Sequence, residues 1–206
     1  MKKQTLFRIG LVTLLATATQ AYSQEQLSKS MQEVRLEAGQ TRDQLATTLA
    51  ALTKLTKQEK GDLRPAYDAF TAELPKTEAA AAATRTRVSW MQGDGMKYFE
   101  DWQTTISSIN NESLKKKSQK RLDAVKKGYG KVIAEFTEAA EKFKPFLADI
   151  TDVQKVLSTD LTAKGVKGVR STVSSANSNY KSVNRTINSA LEEMKGMEKE
   201  LSPEAK

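Results

Sequence analysis

The chain has 206 residues, 38% of them hydrophobic and 28% charged, and a formal net charge of +8. It contains no His and no Cys, which excludes Ser-His-Asp and Cys-His catalysis, disulfides, and zinc or iron–sulfur centres built on those ligands. Only 4 prolines, 10 glycines and 6% aromatics suit long helices around a thin aliphatic core better than a β-rich globule.

The N-terminus has the form of a secretory signal. Lys2, Lys3 and Arg8 precede an apolar run from Ile9 to Ala18. Ala21 and Ser23 are small residues placed for a cut after Ser23, with a cut after Ala21 as the alternative. The run is about half the ~20 residues a spanning helix needs. Residues 1–23 are therefore expected to be a signal peptide, and residues 24–206 one helical domain of the periplasm or the exterior. With no Cys there is no lipobox, and no second apolar run predicts a transmembrane segment. Removing Lys2, Lys3 and Arg8 would lower the net charge from +8 to +5.

Four amphipathic stretches follow. In the first, about 25–57, apolar or small residues recur in steps of three and four: Leu27, Met31, Val34, Ala38, Thr41, Leu45, Thr48, Leu52 and Leu55. That spacing makes one stripe on a helix, the seam of a coiled coil. Gly39 and the capping-box form of Thr41-Arg42-Asp43-Gln44 predict a bend in one helix. Gly61 suits a helix stop and Asp62 an N-cap. A second helix is expected over 63–108, with Pro65 in its first turn and a kink at Pro75. Its seam runs Tyr67, Phe70, Leu74, Thr77, Ala81, Thr84, Val88, Met91, then Phe99, Trp102, Ile106 and Ile109. Ala79 to Ala83 are slim enough for a neighbour to come close. Gly93 and Gly95 are weak points, each costing about 1 kcal/mol against Ala.

Asn110-Asn111 marks a turn, and the third helix is expected over 112–159, a rod of roughly 70 Å bent at Pro145. Its predicted seam is Leu114, Ser118, Leu122, Val125, Tyr129, Val132, Phe136, Ala140, Phe143, Leu147, Ile150, Val153 and Leu157. After a turn capped by Asp160 or Thr162, the fourth helix is expected over 163–201, ended by Ser202-Pro203. It carries Val166, Val169, Val173, Ala176, Tyr180, Val183, Ile187, Leu191, Met194, Met197 and Leu201. Its middle, with Ser174-Ser175 and Asn177-Ser178-Asn179, is the weakest part of the stripe. Long amphipathic helices joined by short turns fold as antiparallel neighbours. The expected fold is thus all-α, an elongated antiparallel bundle of four coiled-coil-like helices.

Several pieces in order resemble a bacterial family known only as a domain of unknown function. They are Arg42-Asp43-x-Leu45, Arg85-x-Arg87-Val88, Phe99-x-x-Trp102 and Asn111-x-Ser113-Leu114, then Pro145-x-Leu147 through Asp152-Val153 to Leu161-x-Ala163. The resemblance spans about Thr41 to Leu201 and implies a long-helix envelope protein, with no activity attached. The chain departs from the family pattern in lacking a lipobox Cys. It also reads Leu157-Ser158-Thr159-Asp160-Leu161 where the family tends to have Leu-Lys-His-Asn-Leu.

The sharpest surface feature is the start of helix three. Lys115, Lys116, Lys117, Lys120, Arg121, Lys126, Lys127 and Lys131 are offset only by Asp123, a net of +7. Such a field attracts phosphate-rich partners, here anionic lipid headgroups or wall polymers rather than nucleic acid. A solvated helix face is the plain alternative. Tyr98, Phe99 and Trp102 read as core packing at one end of the bundle. Asp149 and Asp152, flanking Ile150, are the first carboxylates to check for acid–base work, although no constellation predicts an enzyme and no cofactor is implied. Gly130-Lys131-Val132 fails the phosphate-loop pattern, and the sequon at Asn184 falls mid-helix. The expected role is structural or interactive, a scaffold or adaptor in the envelope. A protein partner, self-association or an anionic surface would supply its contact.

Overall fold

The heptad steps of the sequence become helices almost end to end. The computed structural model describes residues 3–58 and 61–201, with side chains from residue 20 onward. Five helices follow in order: α1 (Lys3–Lys57), α2 (Arg64–Ser107), α3 (Glu112–Thr159), α4 (Ala163–Gly168) and α5 (Arg170–Leu201). Among the described residues the structure is all-helical, without strands.

In α1 every predicted seam residue is buried, from Leu27 and Met31 to Leu52 and Leu55. In the full chain α1 extends N-terminally beyond the stretch 25–57 expected for the mature chain. Its backbone is continuous from Lys3, because no breaker separates the apolar leader from the heptads. The side chains of the expected signal run, Lys3 to Ala18, lie outside the described residues, as do Met1, Lys2 and the Ser202-Pro203 stop. Thr41 does not restart the helix. Its hydroxyl donates across to the Ala80 carbonyl at 2.9 Å, so the slim alanine stretch does admit a neighbour.

Gly61 ends the α1 connection with φ 92°, a left-handed conformation that glycine adopts without penalty. The N-cap of α2 is Leu63, not Asp62. The Asp62 carboxylate still accepts from the Arg64 N–H at 2.9 Å, one residue out of register with the expected cap. Asn111 caps α3, its Oδ1 accepting from the Leu114 N–H at 3.1 Å, and α3 has the predicted bounds. Two details of its seam change. Leu114 is 56% exposed, since it sits in the first turn, ahead of the first buried layer at Leu122. Farther on, the buried residues are Ala139 and Phe146 rather than Ala140 and Leu147. Val132, Phe136, Ala139, Phe143, Phe146, Ile150, Val153 and Leu157 keep a strict four-three alternation, and that stripe faces the core.

The expected fourth helix is two. Thr162 caps α4, its hydroxyl accepting from the Gly165 N–H at 3.1 Å, and Val169 interrupts the run before α5. Gly165 is required at the turn, for a Cβ there would lie 2.1 Å from the Asp160 carbonyl oxygen.

Cross-helix bonds fix the arrangement. α1 and α2 run oppositely, joined by Glu33–Arg87 at 2.9 Å, Thr41–Thr84 at 2.8 Å and Thr48–Thr77 at 2.6 Å. Asn179–Asp149, Thr186–Lys142 and Ser189–Glu135 join α5 oppositely to α3. Tyr67 reaches the Gln154 carbonyl, and Trp102 reaches Ser118, across α2 and α3. Arg35–Glu198 and Arg42–Asn188 link α1 to α5. α1 lies most closely on α2 and α3 on α5, whereas the α2–α3 and α1–α5 seams touch less. One buried apolar cluster runs through the four long helices. Ala176, in the weak middle of the last stripe, is fully buried within it.

Candidate functional site

Three places on the α2–α3 side carry the chemistry of this surface. The first is the basic start of α3. Helical spacing puts Leu122, Val125 and Tyr129 inside, so Lys116, Lys117, Lys120, Lys127 and Lys131 point outward, and all five are exposed. Lys115 is half-buried at the edge of this arc. None of the eight predicted cations enters an ion pair among the described residues. Two have other intramolecular partners that the sequence did not reveal. Arg121 donates to the Glu200 carbonyl at 3.1 Å, at the C-terminal turn of α5 where a cation meets the negative end of the helix dipole. Lys126 places its ammonium 5.8 Å from the Phe99 ring centre, a cation–π distance. The remaining cations form the open part of the patch.

The second is the aromatic end of the seam, directly beneath that patch. Tyr98 stands 5.3 Å from Phe99 and 5.6 Å from Trp102, centre to centre, and Phe99 meets Tyr129 edge-on at 5.3 Å. The Trp102 indole N–H donates to the Ser118 hydroxyl at 3.2 Å. The Tyr129 hydroxyl donates to the Met91 carbonyl at 2.7 Å. Gly95 makes this possible: a Cβ there would fall 2.5 Å from Tyr129 Cζ. The glycine read as a weak point is thus the place where a ring of α3 presses on the α2 backbone. α2 passes through Gly93 and Gly95 unbroken. Burial pushes the Tyr98 phenol up to about 12, against a smaller opposing pull from Arg121. Burial pushes Tyr129 higher still, with the Asp94 charge adding to it.

The third was missed by sequence reasoning. Midway along the same seam a cavity of about 260 Å³ opens between α2 and α3. Its apolar lining includes Leu45, Ala81, Val88, Phe136, Phe143 and Ile187, and Arg85, Gln92 and Glu141 also border it. The signal lay in the sequence as facing small residues. Ala81 on α2 and Ala139-Ala140 on α3 meet where larger side chains would fill the gap. The expected close approach at the alanines is taken up by α1, through Thr41, and α3 stays away.

The carboxylates flanking Ile150 are not brought together in a cleft. Asp149 accepts from the Asn179 amide at 2.8 Å, and exposed Asp152 pairs with Lys155 at 3.2 Å. The bond from Lys76, then that from Gln44, holds the Glu73 carboxyl below its usual value. Glu198 of α5 pairs with Arg35 of α1 at 2.9 Å. Among the described residues no helix is long and apolar enough to cross a membrane.

A family model described as "Protein of unknown function (DUF2959)" matches residues 19–201. No match is found among curated proteins. The chain belongs to the DUF2959 family, in agreement with the resemblance carried by its motifs.

Proposed function

With membership of that family as the premise, we propose that the chain is an exported, non-catalytic interaction protein of the bacterial envelope. Its four long helices act as one elongated antiparallel bundle, and the outer face of early α3 contacts an anionic envelope surface. The observation that carries the reading is the arc of exposed lysines at positions 116, 117, 120, 127 and 131, none in an ion pair among the described residues. It stands on a buried, ring-packed aromatic base, so the backbone that presents the contact needs little reordering. Each lysine near an anionic surface contributes about 1 kcal/mol, weakened by salt. The signal-like N-terminus supports export to the periplasm or beyond. The lack of His and Cys supports a role without catalysis.

Co-sedimentation with phosphatidylglycerol-containing vesicles at low and high salt tests the contact, using chain that begins at Gln24 so that the apolar leader does not itself partition. Binding that vanishes at high salt supports the proposal, and no binding at low salt refutes it. Cell fractionation tests export: a chain retained in the cytoplasm with residues 1–23 intact contradicts it.

A further inference from the structure

We infer that the mid-seam cavity is a binding site for a single acyl chain ending in a carboxylate, a free fatty acid. This does not rest on the surface contact proposed above. Four observations lead to it. The floor is aliphatic and aromatic, from Leu45, Val88, Phe136, Phe143, Val183 and Ile187. The threonine hydroxyls in the wall are already satisfied within the protein, and Ser89, the other hydroxyl of the lining, is exposed. Thr41 donates to the Ala80 carbonyl at 2.9 Å and shares a 2.8 Å bond with Thr84, and Thr137 donates to the Ile133 carbonyl at 2.9 Å. Water would find few partners there, whereas an apolar chain loses nothing. At about 260 Å³ the space lies just below the ~300 Å³ lower end of small-molecule pockets, which fits one slim chain and not the paired chains of a bilayer lipid.

The border of the cavity supplies the headgroup chemistry. Arg85 lines it, is exposed, and has no ion-pair partner among the described residues. The one carboxylate of the lining, Glu141, is engaged by Lys144 at 2.6 Å. The unmatched charge is therefore positive, and a guanidinium takes a carboxylate through two parallel bonds. The acyl chain would lie between α2 and α3, with its carboxylate at Arg85.

The test is calorimetric titration of the purified full chain with dodecanoate below its micelle concentration. Dodecanol and dodecyltrimethylammonium serve as uncharged and cationic probes. Saturable one-to-one binding of dodecanoate is expected, with dodecanol weaker and the cation absent. Arg85→Gln should weaken dodecanoate roughly tenfold or more and leave dodecanol unchanged. Ala140→Leu, which fills the cavity, should abolish both while the helix content is retained. If that variant fails to fold, the Arg85→Gln comparison decides alone. No saturable dodecanoate binding overturns the site. Equal binding of all three probes, or dodecanoate affinity unmoved by Arg85→Gln, overturns the assignment of its ligand.

Discussion

The two halves of the α2–α3 seam solve the same packing problem in opposite ways. At the Trp102 end, four aromatic rings fill the space between the helices, and a glycine lets one of them reach the facing backbone. At the Ala81 level, small residues face small residues and a cavity remains. In the filled half the Trp102 and Tyr129 ring tips are hydrogen-bonded, and it supports a surface dense in positive charge without ion pairs among the described residues. The open half has satisfied threonine hydroxyls and, at its border, one arginine without an ion pair among the described residues. A continuous heptad stripe is compatible with either outcome, because side-chain volume, not periodicity, decides whether facing stripes meet.

The sharpest way to break this contrast is to truncate one ring in each half. Phe99→Ala should cost about 3–5 kcal/mol, as for a well-packed core ring. Phe143→Ala, half-buried beside existing space, should cost about 1–2 kcal/mol. Equal losses in urea denaturation would mean that the two halves are packed alike. The glycines offer a second comparison. Gly95→Ala should destabilise by about 1–3 kcal/mol through overpacking against Tyr129. Gly93→Ala, which meets nothing within 4 Å, should stabilise by up to about 1 kcal/mol. Thermal melts of the pair check the sign of each.

Tyr129→Phe should lose about 1 kcal/mol, the net value of the hydroxyl bond to Met91, with the helix content unchanged by circular dichroism. The alkaline limb offers a gentler test. Folded Tyr98 has its pKa raised to about 12 and Tyr129 is raised further, against about 10 for an unfolded tyrosine. The unfolded chain therefore releases protons first. Stability is full below pH about 10 and falls as pH rises from there through the folded values. Urea midpoints at pH 9, 10 and 11 should decline in that order. A midpoint that rises, or a Tyr98→Phe/Tyr129→Phe double variant with the same slope, would contradict burial as the cause.

Much of this architecture was legible in the sequence, and the reasons are physical. The α1 stripe was readable residue by residue because its steps alternate without ambiguity, and Asn110-Asn111 marked the turn before α3, although the cap that the Asn111 side chain makes emerged only in the structure. The slip at Phe146 arose because Ala139-Ala140 and Phe146-Leu147 are adjacent apolar pairs, and either member satisfies a helical period. The break at Val169 escaped because its stripe residues stay in step across it. The basic patch was visible as composition. That Arg121 and Lys126 have partners in α5 and α2 was not, since those partners are a backbone carbonyl and a ring distant in sequence. The cavity was hidden for the same reason: an absence of volume appears only when two alanine-rich faces are set opposite each other.

The proposed contact through the cationic surface above the filled half is tested most directly by reversing the charge of that surface alone. The variant Lys116→Glu/Lys117→Glu/Lys120→Glu/Lys127→Glu changes exposed side chains and should leave the melting temperature nearly unmoved. Co-sedimentation with anionic vesicles at low salt should then fall from clear binding in the parent chain to none in the variant. Undiminished binding by a folded variant would contradict the account.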